Sequence, residues 1–153
     1  MRNRKAVSPV IATVILVAVA ITVAVAVAYW MGGIASQYTK FEKVEIQSGV
    51  CEFDQAYGNW TITMKLKNTG TAAATLISVF INNVEVGTYG VTSTADLATA
   101  TNMTTTTSIT SGDSIMVKVY IGGSYSTLSS GTAVNIKIHS AGGMDYITLI
   151  ELI

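Results

Sequence analysis

The sequence holds a single cysteine, Cys51, and a single histidine, His139. One cysteine rules out a disulfide within the chain and says little about compartment. One histidine rules out a metal site or a triad built on several imidazoles. Charge is equally scarce: nine basic and nine acidic residues among 153, or 12 % in all, roughly half the share of an ordinary soluble domain. Outside the first five residues the basic side chains are Lys40, Lys43, Lys65, Lys67, Lys118 and Lys137, scattered and without an arginine. Nothing there has the density of a nucleic-acid-binding patch, so no nucleic-acid partner is expected. Asp113 and Asp145 stand beside Gly, Ser or Met, as turn residues do, and Asp96 is equally isolated. The glycines of "GGSYSTLSSG" (122–131) come with no lysine and no following helix pattern, which excludes a phosphate cradle. His139, at the end of a strand pattern, suits a surface role, and Cys51 a small buried apolar one. The expectation is a protein with no enzymatic chemistry, no cofactor and no metal.

What is present begins at the N-terminus. Arg2, Arg4 and Lys5 precede a stretch, residues 6–37, without one ionisable acid or base. A bilayer core of about 30 Å needs about 20 helical residues, so the stretch is long enough to span it. The local pattern "VAVAITVAVAVA" alternates with period two, a strand signature. Length overrules it, because strands seldom exceed about ten residues and a lone strand leaves its backbone unsatisfied in lipid. Ser8-Pro9 suits a helix start, with serine as cap and proline in the first turn. The basic residues predict a cytoplasmic N-terminus and an outer location for everything after Trp30, with Tyr29 and Trp30 at the outer interface. A secretory signal cut at a site such as Ala24-Val25-Ala26 fits poorly, since its apolar region is about 7–15 residues and is followed by a more polar stretch.

A plain anchor leaves the small residues unexplained. Ala20, Ala24 and Ala28 are four apart, and so are Ala18, Thr22 and Ala26. On a helix each set forms a narrow ridge where a neighbouring backbone can approach closely. Helix-to-helix packing is the reading that uses them.

The segment "RNRKAVSPVIATVILVAVAI", and "AVSPVIAT" above all, resembles the start of archaeal type IV pilins. The resemblance is dense over about residues 2–30. It implies that a prepilin peptidase cuts between Lys5 and Ala6 and that the helix is kept, passing from the membrane to a filament core. It further implies a homopolymer built by pilus assembly machinery, with the membrane as the precursor's location and the cell surface as its destination. Val10 stands where bacterial relatives carry a glutamate. The division implied is a leader over 1–5, a helix over 6–38 and an extracellular domain over 39–153. Two alternatives stay open. One is an archaellin of a motility filament; the other is a membrane-tethered monomeric binding domain.

After residue 38 the period becomes two. Residues 44–47, 60–67, 76–81, 84–89, 105–109, 115–121, 134–139 and 146–152 read as strands. "WTITMKLK" shows the logic, with Trp60, Ile62, Met64 and Leu66 on one face and Thr61, Thr63, Lys65 and Lys67 on the other. Asn82-Asn83 suits a tight hairpin, and Asn68-Thr69-Gly70 and Ser111-Gly112-Asp113 suit other turns. The fold class expected is α+β: a long apolar helix followed by an antiparallel immunoglobulin-like sandwich. Residues 90–104 and 122–131 read as longer loops. Two sequences, Asn59-Trp60-Thr61 and Asn102-Met103-Thr104, fit the N-glycosylation pattern. Asn102 lies in the threonine-rich stretch, whose hydroxyls are a second place for sugar.

Overall fold

A computed structural model describes residues 9–92, 97–125 and 127–153. Within them the apolar N-terminal stretch forms one helix, α1 (Pro9–Tyr38), of 30 residues. It passes through Gly32 and Gly33 without a break, although paired glycines weaken a helix. The remainder forms nine strands: β1 (Val44–Asp54), β2 (Asn59–Asn68), β3 (Ala74–Ile81), β4 (Val84–Glu85), β5 (Thr99–Thr101), β6 (Thr107–Ile109), β7 (Ser114–Gly122), β8 (Ala133–Ser140) and β9 (Asp145–Glu151). Helix and strands belong to two compact units that divide after Lys40.

The strands make two antiparallel sheets. One runs β1-β2-β7-β5, the other β4-β3-β8-β9, with β6 added on β3. Lettered in chain order with β6 set aside, these are the A-B-E-D and C′-C-F-G orders of an immunoglobulin sandwich. The fold is therefore α+β, a long apolar helix followed by an antiparallel sandwich. The alternation expected of "WTITMKLK" is realised, since Trp60, Ile62, Met64 and Leu66 are all buried. They meet Val117, Val119 and Ile121 of β7 and, from the other sheet, Val79, Ile136 and Ile138 in one core. The last strand is packed too, with Leu152 fully buried.

Turn chemistry sets the register. Asn82 and Asn83 carry φ of 49° and 67°, the paired positive values of a two-residue hairpin whose twist matches its strands. Asn68 is fully buried and closes its own turn. Its Nδ2 donates to the carbonyls of Ala72 (2.8 Å) and Ile109 (2.9 Å), while its Oδ1 accepts from the Gly70 N–H (2.9 Å). In β1 the pairing with β2 skips a residue between Ile46 and Ser48, a bulge that leaves Gln47 without a cross-strand partner.

The chain enters the sandwich unit through a strap, Phe41–Lys43. The Phe41 carbonyl accepts from the N–H groups of Thr71 and Ala72, and the Lys43 carbonyl from those of Thr69 and Gly70. The Phe41 N–H donates to the Thr71 hydroxyl at 3.1 Å. The Tyr146 hydroxyl donates to Glu42 Oε1 at 2.9 Å.

Candidate functional site: an uncovered apolar helix and the faces of the sandwich

Valine, alanine, isoleucine and leucine dominate α1 on every side, and none of its residues is buried. A helix that is apolar all round belongs inside a large core or a membrane. At 30 residues, α1 is long and apolar enough to cross a membrane. Its hydroxyls are suited to such surroundings: Thr13 donates to the Val10 carbonyl, Thr22 to that of Ala18 and Ser36 to that of Gly33, each at 2.8 Å. Each therefore brings its own partner into a medium that has none to offer.

All six ridge residues lie within α1 and are exposed. At 3.6 residues per turn, positions two apart are separated by about 200°. The ridge of Ala18, Thr22 and Ala26 therefore lies nearly opposite the ridge of Ala20, Ala24 and Ala28. The sequence spacing showed two ridges; the helical geometry makes them two sides of one rod. The cleavage pair Lys5 and Ala6, the leader residues Arg2 and Arg4, the cap Ser8 and Asp96 lie outside the described residues.

The two glycosylation candidates occupy different settings. Asn59 opens β2 and is 7 % exposed. Asn102 is half-buried and follows β5. Its Oδ1 accepts from the Lys118 N–H at 2.7 Å and its Nδ2 donates to the Met116 carbonyl at 3.2 Å. One amide hydrogen is thus engaged with the β7 backbone. The N-x-Thr pattern alone gave no sign of this difference, which comes from burial.

Shallow depressions mark the sandwich, among them the following two. One of 480 Å³ is lined by Glu52, Asp54, Thr61, Lys118 and Tyr120 among others. One of 520 Å³ is lined by Phe53, Gln55, Trp60, Ser130 and Ile153. Among the described residues no three His, Cys, Asp or Glu side chains gather where they could hold a metal ion. His139 bonds Asp145 across the β8–β9 hairpin at 2.5 Å. Cys51 is buried in β1, and burial pushes its thiol pKa up, away from the reactive thiolate. The remaining sandwich features are faces. Sequence reading of single strands missed them because they depend on which strands lie side by side.

No protein-family model and no curated protein sequence matches this chain. Among solved structures, the archaellum periplasmic stator protein FlaG from Sulfolobus acidocaldarius is similar at 20 % identity and a TM-score of 0.45, over 72 % of this chain and 100 % of that one. A likeness at that level says nothing of this chain's function.

Proposed function

We propose that the chain is the structural subunit of an extracellular archaeal type IV pilus, with no enzymatic role. On this reading residues 1–5 are a leader that a prepilin peptidase removes between Lys5 and Ala6. Residues 6–38 are first a membrane anchor with its N-terminus in the cytoplasm and then the filament core. Residues 39–153 face outward. The observation that carries it is the helix, about 45 Å long and without one buried residue. At roughly 25 cal/mol per Å² of apolar area, leaving such a rod in water costs tens of kcal/mol. Once out of the lipid, other copies of the rod are the natural cover, which makes a helical bundle at the filament axis. The "AVSPVIAT" resemblance points the same way.

The test is negative-stain microscopy of sheared cell-surface material together with the intact mass of the recovered chain. Filaments whose subunit begins at Ala6 are expected. Loss of Arg2, Arg4 and Lys5 then leaves six lysines against nine carboxylates, a mildly acidic subunit. A mature N-terminus near residues 26–29 discards the rod and ends the reading. A chain found only as single copies in the membrane favours the tether instead.

A further inference from the structure

Alternation along paired strands puts Glu52 and Asp54 of β1, Thr61 of β2, and Lys118 and Tyr120 of β7 on one outer face. Glu52, Thr61 and Tyr120 form a single cross-strand row, and all five side chains line the 480 Å³ depression. Two features set this patch apart from an ordinary solvated face. Tyr120 lies on the outer side of its sheet yet is only 5 % exposed, and among the described residues its hydroxyl has no hydrogen-bond partner. Burial pushes its pKa up, so the phenol stays neutral and keeps both a donor and an acceptor to offer. Glu52 and Lys118 are exposed, and neither takes part in an ion pair among the described residues. The 520 Å³ depression adjoins the first, since Phe53 and Gln55 line both. There the surface is aromatic: Phe53 is 42 % exposed, and its ring centroid lies 5.3 Å from that of Trp60.

We infer that the two depressions together form a binding site for a neutral oligosaccharide. The polar set is mixed. Two carboxylates only accept, an ammonium only donates, and the hydroxyls and the Gln55 amide do both. The carboxylates oppose an anion. Lys118 opposes a metal ion, for which the described residues also gather no third acidic or imidazole ligand. A polyol asks for donors and acceptors at once, and this set supplies both. The aromatic part completes the match, because one side of a sugar ring presents C–H groups that suit the negative face of an aromatic ring. A concave surface with aromatic walls and a few convergent polar groups is the general form of a small-molecule site. The inference goes beyond the filament reading and does not lean on it, since every residue involved belongs to the sandwich. The saccharide comes either from outside or from the chain's own Asn102, whose amide is bonded to the Lys118 backbone.

The experiment is saturation-transfer difference NMR on the full chain in a detergent without a sugar headgroup. The probes are maltotriose, cellotriose, mannotriose and triacetylchitotriose, and at least one should bind. Tyr120→Phe keeps the buried ring and should weaken that binding about fivefold. Glu52→Gln, at an exposed position, should weaken it about tenfold. Glu151→Gln, on the other sheet, should leave it unchanged. Binding by the native chain assigns the site to sugar from outside. Binding that emerges only with Thr104→Ala, which removes the N-x-Thr pattern at Asn102, assigns it to the chain's own glycan. No trisaccharide bound by either chain, binding indifferent to both site variants, or tri-lysine held more tightly than any sugar overturns the inference. Filaments that bind no trisaccharide sink the site and spare the pilus. Sugar bound by a chain that never forms filaments sinks the pilus and spares the site.

Discussion

Gly70 is the residue on which the strap depends. A methyl group there meets the Phe41 carbonyl oxygen at 2.5 Å and the Lys43 nitrogen at 2.6 Å. Both are backbone atoms, so neither can swing aside as a side chain would. Gly70→Ala therefore has to push the strap off the turn. Four backbone bonds close the strap on that turn, those of Thr69, Gly70, Thr71 and Ala72. At about 0.5–1.5 kcal/mol each they total about 2–6 kcal/mol, and shared geometry keeps the realised loss below the top of that range. Overpacking by one methyl independently costs about 1–3 kcal/mol. We expect a loss of about 2–4 kcal/mol and a Tm lowered by about 10 °C. The assay is a melt of the full chain in detergent, followed by Trp60 fluorescence in a Trp30→Phe background. A second readout is trypsin, which should cut faster after Lys43 once the strap lifts. Gly32→Ala is the control, since nothing lies within 4 Å of a methyl there. A Gly70→Ala change within about 0.5 kcal/mol of the parent, with unchanged cleavage, refutes the reasoning.

Ala24→Phe should stop or weaken filament assembly by forcing neighbouring helices apart, while membrane insertion persists because Phe is at least as lipid-tolerant as Ala. Membrane-bound precursor and sheared filaments report the two separately, and normal filament yield refutes it. Peptide mass spectrometry should find sugar on Asn102 and none on Asn59, whose amide the fold buries; glycan on Asn59 of the folded chain contradicts that. Burial first, and then its bond to Glu42, push the Tyr146 pKa up from 10 to about 12. The neutral phenol is thus favoured by folding, and its contribution is full below pH 10 and lost as pH climbs toward 12. Tyr146→Phe should flatten part of that alkaline loss in a stability–pH series. Tyr89 and Tyr120, also raised chiefly by burial, retain theirs, and an unchanged profile refutes the assignment.

The helix was legible because its length outweighed its local alternation, and the sandwich because eight stretches kept a period of two. The departures have physical causes. β1 runs on to Asp54 through Ser48 and Gly49, where hydrogen bonding to β2, not the apolar pattern, extends the strand. Residues 84–89 read as one strand, yet only Val84 and Glu85 pair with β3 as β4. The Gly87 N–H then donates to the Thr99 hydroxyl at 3.0 Å, and Thr88 bridges to Ala100 on the opposite sheet. β5 sits in what read as loop, a three-residue threonine–alanine strand held by β7 and too short to show a period. The helix ridges could be listed from spacing, but their opposition needed the helix. The strap and the burial of Asn59 come from long-range pairing, on which local periodicity is silent.

The bulge in β1 bears on crowding. β1 and β9 are edge strands, and an edge with regular spacing invites a stranger's backbone to continue the sheet. At β1 the skipped residue breaks that spacing after Ile46, and Glu45 and Glu52 place like charges along the strand. At β9 the acids at both ends, Asp145 and Glu151, resist a second copy laid alongside. Faces can meet and part through side chains, whereas added strands lock in hydrogen bonds along their whole length and lead toward stacked fibrils. Edges that resist such templating at β1 and β9 keep one copy from continuing another's sheet there, however densely the copies are held.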